Sequence, residues 1–506
     1  MSEAESRPSA ATTDDADTRR RRRDAGLRAA ATSGWLPFTD LITFQLASLA
    51  MCVICRHAQK PVLVNVAKRT PKTLWSIDRP RTAHENADSA EEGDGTGFAS
   101  RVPRPTIEAI SWIRASPCSA LRDKLPSEVK RLTFGSNFNH TVVGIRWPEG
   151  LEEIRFGSKF SQPVAEVAWP ASLQRLSLGQ AFDQSLADAA FPEGLKEVSF
   201  GAKFNQSLLP VDNQEGGVRW PPKLERITLG SYRRSLTGVS WPPGLLALKI
   251  TGEFDLPLAG ITLPDSLEEL EISSTFNQSI DEVEFPRGLK TLTFGNQFNQ
   301  AIEKVKFPSG LERLRLGLSF DQPVERVAFP ARLSYFSIDS KVFNHPVRGV
   351  SWPDSMTELH FGDGFNQEIS SVALPPRLVR LALGDRFNKP VLDVAWPPGL
   401  RDLSFGHNFN QPVVDVVWPS SLRRLRFGAR FKQCLSGADW PTGLETLDLG
   451  HCHMTWGCGP KEGYENWSPR LNIISRKRIS TLGWQRKEHE HVVASLLPFA
   501  PSVVGR

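Results

Sequence analysis

Along most of the chain, apolar residues recur in one short pattern. In one copy Leu400 is followed by Leu403, Phe405, Phe409, Val413, Val416 and Trp418, at offsets 3, 5, 9, 13, 16 and 18 from the leucine. A polar residue separates offsets 3 and 5, so this stretch alternates with the period of a short strand. Gly406 follows and is expected to end the strand, because glycine permits turns that other residues resist. The rest of the copy returns by irregular structure to Trp418-Pro419. The residue before a proline is pushed out of the helical region, which suits an extended corner there.

Proline marks the period. It stands after Trp, Phe or Leu in fifteen copies from Pro126 to Pro441, at steps of 22 residues with exceptions of 29, 21 and 23. No unit of this length buries its apolar set alone, whereas stacked units bury it as one continuous core. The expected fold is therefore a repeat solenoid, mainly β, with short parallel strands and about fifteen 22-residue coils. At about 4.8 Å per strand the stack would be roughly 70 Å long. Phe138, Phe160, Phe182, Phe204, Phe298, Phe320, Phe387 and Phe409 would form one aromatic spine. After that phenylalanine comes Asn at 139, 205, 277, 299, 344, 366, 388 and 410, and Asp at 183, 255 and 321. These side chains satisfy backbone groups at turns, so a stacked row of them is expected to hydrogen-bond a buried bend.

These copies resemble FNIP repeats, a degenerate relative of the leucine-rich repeat. The Phe-Asn-(Ile/Gln)-Pro core of that family appears as Phe409-Asn410-Gln411-Pro412, and in blurred form as Phe160-Ser161-Gln162-Pro163 and Phe182-Asp183-Gln184-Ser185. The resemblance covers about 125–450. It implies a leucine-rich-repeat-like solenoid, and such solenoids generally bind other proteins. Three copies are irregular: one carries an insert near Leu209–Gly217, the next has Tyr232-Arg233 for Phe-Asn, and a third gains a residue near Lys341-Val342.

In a leucine-rich-like coil, offsets 1, 2 and 4 point outward from the strand. Offset 4 runs through Arg155, Lys249, Glu271, Arg315, His360 and Arg426, among others, and offsets 1 and 2 are mostly Glu, Arg and Lys. The face is polar and mixed in sign. An acidic cluster stands at Glu268, Glu269 and Glu271, and a basic one at Arg401, Arg423, Arg424 and Arg426. Groups of opposite sign steer and orient partners, so these seven residues are the candidate protein-binding positions.

The remaining chain divides by composition. Residues 1–35 are poor in apolar residues and read as a disordered tail containing the run Arg19–Arg23. Residues 36–68 read as a small apolar helical module. Leu36-Pro37-Phe38-Thr39-Asp40-Leu41 and Cys55-Arg56 within it resemble the latter half of an F-box, whose first half is absent. Its uncharged stretch Leu41–Cys55 is shorter than the ~20 residues a membrane span needs. Residues 69–106 read as a disordered linker, 107–124 as an N-terminal cap, 125–450 as the solenoid and 451–506 as a C-terminal cap and tail.

Charge and chemistry exclude more than they add. The formal net charge is +5, and outside residues 1–35 and 459–506 basic and acidic residues balance at 46 each. A neutral rod does not track phosphates, so no nucleic acid is expected along it. Six cysteines in 506 residues make no disulfide scaffold and fit a reducing compartment. His451, Cys452, His453 and Cys458 are metal-ligand types, but His451 and His453 are too close together for a familiar zinc spacing, and Cys52 and Cys55 lie in an apolar stretch. No nucleophile–base pair, phosphate loop or carboxylate pair stands at motif spacing. The expectation is a non-enzymatic scaffold without cofactor or metal. It would be monomeric and cytoplasmic, with the nucleus as alternative, and would bind an unidentified protein through its strand face. The alternative function is a ubiquitin-ligase substrate adaptor working through residues 36–68.

Overall fold

The structure is a computed structural model that describes residues 63–66, 109–112, 125–209, 218–433, 435, 437–450 and 472–474. It divides into two units, Met1–Gly201 and Ala202–Arg506. The first holds β1 (Leu63–Val66), β2 (Ala109–Trp112), β3 (Arg131–Phe134), β4 (Glu153–Arg155), β5 (Arg175–Ser177) and β6 (Glu197–Ser199). The second holds β7 (Arg226–Leu229), β8 (Ala247–Ile250), β9 (Glu269–Glu271), β10 (Thr291–Thr293), β11 (Arg313–Leu316) and β12 (Tyr335–Ile338). It continues with β13 (Glu358–Phe361), β14 (Arg380–Ala382), β15 (Asp402–Ser404), β16 (Arg424–Arg426), β17 (Thr446–Asp448) and β18 (Asn472–Ile474). Within each unit consecutive strands pair in parallel, and from β2 to β6 and from β7 to β17 the paired residues are one repeat apart: Leu381 lies beside Leu403, and Leu403 beside Leu425. The described residues contain no helix, so none long and apolar enough to cross a membrane. This is a parallel-strand solenoid with the 22-residue spacing of the sequence.

Each coil turns at fixed hydrogen bonds. Leu400 N donates to Pro397 O at 3.1 Å, Phe409 N to Gly406 O at 3.3 Å and Val416 N to Val413 O at 3.4 Å. The Trp-Pro corner therefore opens a four-residue turn that closes on the leucine of the next coil. Inside, the strand leucines and the phenylalanine at offset 9 are fully buried, as at Leu381, Phe387, Leu403 and Phe409. The spine forms as expected within each unit. Phe138, Phe160 and Phe182 stack at 6.1 Å steps, and Phe365, Phe387, Phe409 and Phe431 at 6.0–6.2 Å. Trp396, Trp418 and Trp440 make a second column at 5.9 and 6.1 Å. The indole N–H groups of Trp396 and Trp418 are buried without an acceptor, and Phe285, Phe307 and Phe329 fill the same offset. Ring area therefore outweighs the lost hydrogen bond at this column.

The asparagine row is a ladder. Asn388 Oδ1 accepts from Asn410 N at 2.9 Å and Gln411 Nε2 at 3.1 Å, and Asn410 Oδ1 does the same for Lys432 N and Gln433 Nε2. It was expected at a buried bend. It lies instead at a surface corner, half-buried at Asn388 and Asn410 and exposed at Asn277 and Asn344. Asp255 substitutes without loss, accepting from Asn277 N at 2.8 Å, because only the shared side-chain oxygen is used.

The strand-end glycines are needed for a different reason than the turn predicted. Gly384, Gly406 and Gly428 do not adopt positive φ; in this column only Gly450 does, at +60°. A Cβ on Gly384 would instead come closer than 3.0 Å to the carbonyl of Gly362 in the preceding coil, and one on Gly406 would meet Gly384 likewise. The coils approach too closely there for any side chain. The positive-φ glycines, such as Gly349 and Gly437, sit at another corner.

The irregular copies keep the architecture. Tyr232 is buried and stacks on Phe204 at 6.3 Å, and Arg233 N still donates to Asn205 Oδ1 at 2.9 Å. At the extra residue, Ser340 Oγ accepts from Val342 N and Phe343 N, leaving the Val342 side chain exposed. Of the expected insert near Leu209–Gly217, residues 210–217 lie outside the described residues. So do the Arg19–Arg23 run, the F-box-like segment, the linker and the 451–458 cluster. Leu63–Val66, at the end of the stretch expected to be helical, is a strand paired with β2. Its Leu-Val-Asn-Val sequence is rich in β-branched residues, which favour strands.

Candidate functional site: the strand face of the second unit

Offsets 1, 2 and 4 do face outward. Across β11 to β16 they are exposed or half-buried except Ser337, while offsets 3 and 5 between them are buried. Strand pairing without slippage sets side chains of equal offset about 4.8 Å apart, within reach of long charged groups. The outward face is consequently laced by ion pairs between coils.

This pairing changes the meaning of both predicted clusters. Lys290 Nζ bonds Glu268 at 2.7 Å, and Lys249 Nζ lies 3.0 Å from Glu269 and 3.3 Å from Glu271. The hydrogen bond to Glu269 holds Lys249 above its ordinary pKa, as that to Glu268 does for Lys290. The acidic cluster is thus covered. In the basic cluster, Arg424 grips both oxygens of Asp402 at 2.5 and 2.6 Å, and this raises its pKa. Arg426 lies 3.2 Å from Asp448, and Arg423 lies 3.8 Å from Glu445. Arg401 alone of the four basic candidates has no carboxylate within 4.0 Å among the described residues, and it is exposed. The two clusters are six strands apart, about 29 Å at the strand spacing, so they do not form one site.

A third group was not singled out from the sequence. Arg313 on β11 lies over the ring of Tyr335 on β12, its Cζ 4.0 Å from the centroid. The ring of His360 on β13 is 5.4 Å from that of Tyr335. Arg315 Nε bonds Asp339 at 2.5 Å, and Arg380 bonds Glu358. Burial would raise the Glu358 carboxyl, but the bond and charge of Arg380 overcome it and hold the group below its usual range. Burial lowers the His360 pKa, against the pull of Glu358. Glu358 Oε2 is 3.7 Å from His360 Nε2, too far for a hydrogen bond, and that nitrogen is buried without one. The signal was present in the sequence: Tyr335 is the only Phe, Tyr or Trp at an outward offset between Val129 and Leu449.

The arrangement offers ion pairs and an aromatic platform, which is binding chemistry. Among the described residues no three His, Cys, Asp or Glu side chains gather as a metal site. The cavity beneath Leu248, Ile250, Leu258, Ile261 and Leu270 is lined only by aliphatic side chains, with no polar group to orient a ligand.

Comparison with known proteins agrees with this architecture. The family model described as FNIP Repeat matches residues 276–319, 298–340, 343–386 and 387–428. The solved structure titled as CroV588, a novel circular LRR protein, is 28% identical with a TM-score of 0.60, over 74% of this chain and 61% of that one. This chain therefore spans less than two thirds of that protein's length. The Drosophila Toll–Spatzle complex matches at 16% identity and a TM-score of 0.45, over 73% of this chain and 57% of that one. An internalin, inlF of Listeria monocytogenes, matches at 15% and 0.40, over 55% and 80%. No curated protein matches the chain. The matched copies carry the phenylalanine spine and the asparagine ladder: residues 276–428 hold FNIP repeats, and the fold is a solenoid of leucine-rich-repeat type.

Proposed function

We propose that this protein is a non-enzymatic interaction scaffold whose strand face, from β11 to β16, docks an acidic segment of a protein partner. Solenoids of this type typically serve as binding scaffolds, and the charge of this face selects the partner. One observation carries the reading: Arg401 is exposed and open while the neighbouring arginines are already paired. Over the six strands the outward offsets hold Arg313, Arg315, Arg380, Arg401, Arg423, Arg424 and Arg426 against Glu312, Glu358 and Asp402. The exposed pair of Arg423 with Glu445 contributes about 0–1 kcal/mol, so an incoming carboxylate competes with it at small cost. Glu268, Glu269 and Glu271, covered by lysines, mark the less receptive end of the same face.

The test uses the full chain and a fluorescein-labelled deca-glutamate peptide at physiological salt. Arg401→Glu is expected to weaken binding about tenfold, the effect of about 1.4 kcal/mol. Arg348→Glu makes the same change of charge at an exposed position off the strand face and is expected to change affinity less than twofold. Equal weakening by both variants, or no saturable binding by the wild type, contradicts the proposal.

A further inference from the structure

Arg313 differs from the other arginines around it. Arg315 and Arg380 are held by carboxylates, but Arg313 has none within 4.0 Å among the described residues. It is nevertheless not loose, since its guanidinium lies on the Tyr335 ring at 4.0 Å. A guanidinium on an aromatic face gains cation–π attraction and keeps its N–H edge free, since the ring engages only the plane of the group. That edge is the fork that receives a carboxylate in two parallel hydrogen bonds.

Most surface arginines lose rotamer freedom when they bind. Here the stack has already removed much of it, and a preorganised group binds more tightly because less ordering remains. Tyr335 is itself half-buried and backed by His360, so the platform is fixed from both sides. Arg and Tyr are also the residue types that dominate interface energetics.

We propose that Arg313, held on Tyr335, is the anchor of the docking face and receives an Asp or Glu side chain of the partner segment in a bidentate bond. This rests on the strand-face reading above and names the position where the acidic segment is gripped.

The test again uses the full chain and labelled deca-glutamate. Arg313→Gln is expected to weaken binding about tenfold. Tyr335→Leu leaves the charge unchanged and is expected to weaken it about fivefold, whereas Tyr335→Phe, which keeps the ring, binds like the wild type. In the Arg313→Gln background Tyr335→Leu is expected to add nothing, because the two residues act as one unit. Thermal unfolding of each variant separates lost binding from lost fold. Wild-type affinity in Arg313→Gln overturns the anchor; if Arg401→Glu still weakens binding, the docking face survives without it, and if it does not, both readings fall. Independent, additive effects of the Arg313 and Tyr335 changes overturn the stack as the cause.

Discussion

Gly384→Ala is expected to destabilise the solenoid by about 3 kcal/mol, a severe overpacking effect for one methyl group. The methyl would be driven into the Gly362 carbonyl of the preceding coil, and the following coil packs as closely, since a Cβ on Gly406 would meet the Gly384 carbonyl in turn. Backbone cannot step aside as a side chain would, since moving one coil breaks its pairing with both neighbours. The column does hold larger residues elsewhere, and each brings a polar group with a partner. Thr251 Oγ1 donates to Leu229 O at 3.3 Å, Ser273 Oγ to Phe254 O at 2.6 Å, and Asp339 accepts from Ser337 Oγ at 2.5 Å. Alanine adds bulk and no bond. Denaturant unfolding followed by circular dichroism measures the loss; a change within 0.5 kcal/mol would show that the coils have room the geometry denies.

Phe387→Ala is expected to cost about 4 kcal/mol, in the range for deleting a buried aromatic side chain. Phe387 is fully buried and stacks on Phe365 at 6.2 Å and Phe409 at 6.0 Å. The rings above and below belong to separate coils, so collapse around the gap would require both to shift. Because solenoid stability is a sum of repeat and nearest-neighbour terms, the loss should loosen the contacts of one coil first. Hydrogen exchange is expected to speed up in β13, β14 and β15 and to leave β9 and β10 unchanged. A uniform rise across all these strands would contradict nearest-neighbour coupling.

How much of this was legible beforehand depends on the range of the interaction. The strand offsets, the spine and the asparagine row follow from a single copy, because they are fixed by alternation and by turn chemistry. The reason for Gly406 was misread because one copy shows a turn and not the distance to the coil beside it. Burial of the asparagine row was likewise overestimated, since Asn277 and Asn344 face solvent. The acidic and basic clusters were visible, but their neutralisation was not. Lys290 with Glu268 and Arg424 with Asp402 are each 22 residues apart, so the pairs appear only when copies are aligned and charges compared across them. The same alignment would have placed Arg313 beside Tyr335, one repeat apart at offset 2. Arg401 was named as a candidate, while its isolation from carboxylates needed the fold.

Arginine footprinting tests the central claim most directly. The full chain is treated with phenylglyoxal, alone and with saturating deca-glutamate, and modification at each arginine is read by mass spectrometry. If the strand face docks acidic segments, Arg313 and Arg401 react readily in the free protein and are protected by the peptide, while exposed Arg348 and Arg377 off that face react equally in both. Protection spread evenly over all four, or confined to Arg348 and Arg377, would contradict the account.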